Sequence, residues 1–92
     1  MSEVVARRVV VEGRVQGVGF RVSCARRARG AGVAGTVRNL PGGAVAAVFE
    51  GEPAKVADLV AWCRRGPSQA RVDTVRVSES VPIGATEFRI EG

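Results

Sequence analysis

Three consecutive valines, Val9-Val10-Val11, lead almost at once into Gly13-Arg14-Val15-Gln16-Gly17-Val18-Gly19-Phe20-Arg21. An unbroken apolar run of this kind reads as a strand covered on part of both faces. The segment after Arg21 carries helical spacing, so a strand, a glycine-rich turn and a helix start lie end to end. A strand joined to a helix by so short a turn must lay that helix against the sheet. Such a turn can also aim several backbone N–H groups into one concavity, to which the helix N-terminus adds its positive end. Arg21 closes the turn with a planar charge bearing several donors. The stretch therefore suits an anion, a phosphate or carboxyphosphate. Glycines that merely shape the turn are the plainer alternative.

The rest of the chain arranges itself around that junction. The first strand is expected over Val4–Glu12, with Arg7-Arg8 interrupting its alternation. A helix from Arg21 to about Ala31 places Phe20, Cys24, Ala28 and Ala31 on one face and leaves Arg26, Arg27 and Arg29 to water. Gly30 and Gly32 supply its stop signals. Gly35–Leu40 and Ala44–Glu50 read as two strands joined by the turn Pro41-Gly42-Gly43, with Asn39 at the end of the first. Gly51-Glu52-Pro53 opens a second helix whose stripe is Val56, Leu59, Val60 and Cys63, and Gly66-Pro67 ends it. Trp62, at the edge of that stripe, is expected to be half covered. Arg71–Val81 alternates as a half-buried strand, Pro82 and Gly84 break it, and Glu87–Glu91 forms a short last strand. The order βαββαβ with a short extra strand predicts an α+β, ferredoxin-like sandwich. Its sheet is mostly antiparallel, of four to five strands, with two helices on one face.

At 92 residues the chain is read as a single domain, 1–92. Its net charge of +5 raises the question of a polyanion partner. The arginines are scattered, however, and Lys55 is the one lysine, which reads as the residue bias of a GC-rich genome. Aromatics are 4% with no Tyr, too few for a base-stacking platform, so no nucleic-acid partner is expected. No apolar run approaches the roughly 18 residues of a membrane span. Met1-Ser2-Glu3-Val4 carries no secretory signal, so a cytoplasmic protein is the expectation. Cys24 and Cys63 without any His offer too few ligands for a structural zinc and exclude a Cys–His nucleophile. Two buried, reduced thiols are expected rather than a disulfide.

Gly13–Arg21 resembles the first signature of the acylphosphatases. Gly35-Thr36-Val37-Arg38-Asn39-Leu40-Pro41-Gly42-Gly43 is similar to the second, a strand running into an Asn and a Pro-containing turn. Ala28, Gly32, Glu50-Gly51, Phe88 and Ile90 extend the likeness over nearly the whole chain. Three positions depart from the usual pattern: Thr36 where an aromatic is common, Gly42 where Asp is frequent, and Ala46 where Glu is frequent. None is a residue that the family's chemistry needs.

The resemblance implies hydrolysis of a small acyl phosphate to a carboxylate and inorganic phosphate, by a monomer with no metal and no cofactor. Arg21 is by resemblance the phosphate-binding arginine, and Asn39 the residue that orients the attacking water. Gln16, Gly17, Val18, Gly19 and Phe20 would offer backbone N–H groups to the phosphoryl oxygens. The chemistry is consistent with these residue types, since a carboxylate with a conjugate-acid pKa of about 4 leaves without a general acid. Two other readings stand beside this one. Acylphosphatase-like domains also front large carbamoyl-transferring maturation proteins, where zinc-finger-like Cys motifs follow; this chain shows no such motif before Gly92, which favours a free-standing enzyme. A basic ferredoxin-like module could instead bind anions or RNA on its sheet, but the central strands carry mainly Val and Arg.

Overall fold

A computed structural model describes residues 3–92. The Met1-Ser2 start of the segment read for targeting lies outside the described residues. The elements are β1 (Val5–Arg14), α1 (Phe20–Ala31), β2 (Ala34–Asn39), β3 (Val45–Gly51), α2 (Pro53–Cys63), β4 (Arg71–Ser80) and β5 (Phe88–Glu91). The strands form one sheet in the order β4-β1-β3-β2-β5. β1 pairs antiparallel with β3 and β4, β2 pairs antiparallel with β3, and β5 alone runs parallel to its neighbour, β2. This is the ferredoxin-like layout that the element order predicts, with the short extra strand on the β2 edge.

The pleat explains the layering. Val9 and Val11 of β1, Val37 of β2, and Val45, Ala47 and Phe49 of β3 share one face and join the core cluster. Both helices cover that face, α1 through Phe20, Cys24, Ala25 and Ala28, α2 through Val56, Leu59, Trp62 and Cys63. The alanine-lined face of α1 lets its backbone lie close to the sheet. Val10, on the other face of β1, is still only 8% exposed, so the valine run is covered on both sides as its lack of alternation suggests. Phe49 stacks on Phe88 with ring centroids 5.8 Å apart, which ties β5 into the core.

Trp62 departs from expectation. It is buried rather than half covered, at 4% exposure. Its cover comes from α1: the Phe20 ring lies 5.1 Å away at a tilt of 50°, and the Arg27 guanidinium sits 5.4 Å over the indole. A cation over an indole face is favourable, so Arg27 shields the ring instead of simply facing water. Cys24 and Cys63 are buried free thiols. A hydrogen bond with Cys63, followed by burial, holds the Cys24 thiol well above its ordinary range.

Gly35 fixes the close approach of β2 to β3. Its φ is +137°, and a Cβ there would overlap the carbonyl oxygen of Val48. Both the backbone conformation and the space demand glycine. Gly35→Ala is expected to destabilise the fold by about 3 kcal/mol or more, read as a lower denaturation midpoint in urea.

Candidate active site

β1 ends in an irregularity of register between Glu12 and Gly13, and the chain leaves the sheet at Arg14. Val15 is buried and pins the start of the loop. Gly17 and Gly19 then take left-handed conformations, with φ of +75° and +79°. These are the angles that fold successive N–H groups toward one point, and side chains rarely adopt them. Gly19 is the N-cap of α1 and supplies no side-chain cap, nor is there an acid in the first turn. Ser23 N–H is the first to reach a helical acceptor, Gly19 O at 3.0 Å. Among the described residues, the N–H groups of Gln16 through Val22 have no protein acceptor. A row of orphan donors at a helix start is costly unless an anion or water completes it.

Arg21 adds a cation to the same helix end, an arrangement that opposes the helix dipole unless an anion lies between. Its Nη1 donates to Gly92 O at 3.1 Å. One corner of the guanidinium is thus occupied and four N–H donors are left over. Gly92 follows β5, whose Glu91 lies in parallel register with Arg38, the residue before Asn39. Arg21 therefore reaches the end of the sheet where β2 finishes. Asn39 is the last residue of β2, and its Oδ1 is buried with no hydrogen-bond partner. A buried amide oxygen is rarely left bare, and such an exception calls for an explanation such as a missing water or ligand.

Gln16 connects the two halves. Its Nε2 donates to Leu40 O and to Ala44 O, each at 2.9 Å. Those carbonyls also belong to the turn's own ladder, in which Leu40 N–H donates to Ala44 O at 2.8 Å. The Gln16 side chain is committed to the β2–β3 turn, which leaves its backbone N–H as the group free for a ligand. Phe20 likewise has only its backbone to offer, because its ring is buried against Trp62. Val18 is half-buried, while Gly17 and Gly19 are exposed. The structure thus brings Gln16, Gly17, Val18, Gly19, Phe20 and Arg21 together in one loop and helix start, beside the turn that follows Asn39. Gly92 was not visible as a participant in the sequence, since only tertiary structure sets it against Arg21. No group of three or more His, Cys, Asp or Glu side chains suited to a metal occurs among the described residues. Among the described residues, no helix is long and apolar enough to cross a membrane.

Known proteins resemble this chain over nearly its whole length. The acylphosphatase family model matches residues 7–90. An acylphosphatase from Gloeobacter violaceus is 50% identical over 90 residues, covering 98% of this chain and 97% of that one. The structure of an acylphosphatase from Coxiella burnetii superposes with a TM-score of 0.91 at 36% identity, covering 96% of this chain and 93% of the other. Full-length HypF, in a phosphate- and nucleotide-bound form, contains a similar domain: TM-score 0.89 at 25% identity, covering this whole chain but 12% of HypF. With the matched span, the near-full-length identity and the shared fold together, the chain belongs to the acylphosphatase family.

Proposed function

We propose that this protein hydrolyses small acyl phosphates to a carboxylate and inorganic phosphate, with the residues between Gln16 and Arg21 holding the phosphoryl group and Asn39 the attacking water. The observation that carries the reading is the pairing of two unsatisfied sets: a row of free N–H donors running into a cationic helix start, and a bare buried acceptor at the neighbouring strand end. Phosphate oxygens complete the first set and a water proton the second.

The steps follow from these groups. The backbone N–H row and the Arg21 fork take the phosphoryl oxygens and neutralise their charge. Asn39 Oδ1 accepts a hydrogen bond from water and points its oxygen at phosphorus. The water oxygen bonds to phosphorus while the bond from phosphorus to the acyl oxygen breaks. The carboxylate leaves with the bonding pair, and the water proton passes to a phosphoryl oxygen of the substrate, since neither motif places a carboxylate as base. One acyl phosphate and one water give one carboxylate and one dihydrogen phosphate. No step calls for a metal, and one chain supplies every group.

Hydrolysis of benzoyl phosphate by the purified protein tests this. Turnover is expected at an unchanged rate in EDTA, with a specific activity independent of enzyme concentration. Loss of activity in EDTA that magnesium restores would overturn metal independence, and a folded protein without turnover would overturn the activity.

A further inference from the structure

β4 and β5 lie at opposite edges of the sheet, yet they are consecutive in the chain. The connection Val81–Glu87 must therefore cross β1, β3 and β2. Four strand spacings amount to roughly 19 Å, and seven extended residues reach roughly 23–25 Å. The crossing has little slack. It passes over the face opposite the helices, and at its midpoint it meets Glu50 on the middle strand. Glu50 Oε1 accepts from Ile83 N–H at 3.0 Å, and Oε2 accepts from Gly84 N–H at 2.9 Å and Ala85 N–H at 3.1 Å. Ala6 and Ala34 flank Glu50 in register, small enough to let the loop descend onto the carboxylate, which is 5% exposed. A cavity of about 560 Å³ lies beside the loop, and Val81 and Ile83, which help to line it, are 79% and 85% exposed. Apolar packing thus supports the crossing weakly, and the three bonds to Glu50 set its position.

Beyond the crossing, the chain forms β5 and ends its path at Gly92 O, the acceptor of Arg21 Nη1. Arg29 of α1 holds the near end of β5 by donating from Nε and Nη2 to Phe88 O, at 3.1 and 2.9 Å. The structure assigns Glu50 a positioning role: by fixing the crossing loop it sets β5, and through Gly92 O it sets the orientation of the Arg21 guanidinium before phosphate arrives. This role rests on the proposed use of Arg21 for the phosphoryl group. A planar fork held at one corner presents its other donors in a fixed direction. Released, it must be ordered by the ligand, at the ligand's cost in affinity.

Calorimetric titration with inorganic phosphate tests the role without relying on turnover. E50Q replaces one acceptor oxygen by an NH2 facing N–H donors. The dissociation constant is expected to rise roughly 3- to 10-fold, with KM for benzoyl phosphate rising in parallel and kcat within about twofold. In an Arg21→Lys background the same change should add nothing further, because an ammonium has no fork to orient. An unchanged dissociation constant in E50Q, or an equal rise in the Lys background, would overturn the role and leave the proposed activity standing. Wild-type protein that binds no phosphate would overturn both. Should E50Q fail to fold, Glu50→Asp, which keeps the charge and withdraws the oxygens, replaces it under the same criteria.

Discussion

Arg21→Ala is expected to lower kcat/KM for benzoyl phosphate by about 10³-fold or more, the scale on which a cation at a transferring phosphoryl group acts. Phosphate binding should be lost with it. The fold should not suffer. Arg21 sits where a positive charge opposes the dipole of α1, and removing such a charge is worth about 0.3–1 kcal/mol in the stabilising direction. The Gly92 bond, made by an exposed donor, offsets only part of that. The check is paired: unfolding midpoints with and without phosphate. Wild type at 100 times its dissociation constant should gain about 2.7 kcal/mol from phosphate, and the variant should gain nothing. A variant that retains phosphate stabilisation would remove Arg21 from the site.

Asn39→Ala is expected to act on turnover. If Oδ1 holds the attacking water, its loss should lower kcat by about 10²-fold, as misplacing a reactant does, with phosphate affinity nearly unchanged. The same truncation removes a buried oxygen that has no partner. Leaving such a group unsatisfied costs about 1–3 kcal/mol, so the variant should be no less stable than wild type. Lower activity with equal or higher stability is the signature of a residue kept for chemistry. Equal losses in kcat and phosphate affinity would instead place Asn39 among the phosphate contacts.

The order of elements was legible because each carries its own period and its own punctuation. The β1 valines, the Pro41-Gly42-Gly43 turn and Pro53 at the start of α2 are local signals that tertiary contacts did not override. Element ends moved by a residue or so. Leu40 lies beyond β2, Val81 beyond β4 and Glu87 before β5, while Phe20 lies inside α1. The site loop was legible as a motif, and its free N–H groups follow from two left-handed glycines. The burial of Trp62 is not legible in its own helix, because its cover comes from Phe20 and Arg27, on a helix distant in sequence. Helical spacing alone leaves Arg29 to water and cannot show that its guanidinium reaches Phe88 O. Glu50 read as the end of a strand, because the loop that buries it arrives from beyond β4.

The placement of β1 has a consequence for the nascent chain. Val9 pairs with Ala47 on one side and Val77 on the other, both far downstream. While a ribosome is still making them, Val9-Val10-Val11 is an apolar strand with two open edges, the kind of segment that seeds aggregation. Arg7 and Arg8 stand immediately before it and Glu12 immediately after. Arg8 and Glu12 are exposed in the finished sheet, where they form no part of the core. Arg7-Arg8 and Glu12 thus stand where flanking charges are expected to discourage intermolecular pairing until β3 and β4 have been synthesised.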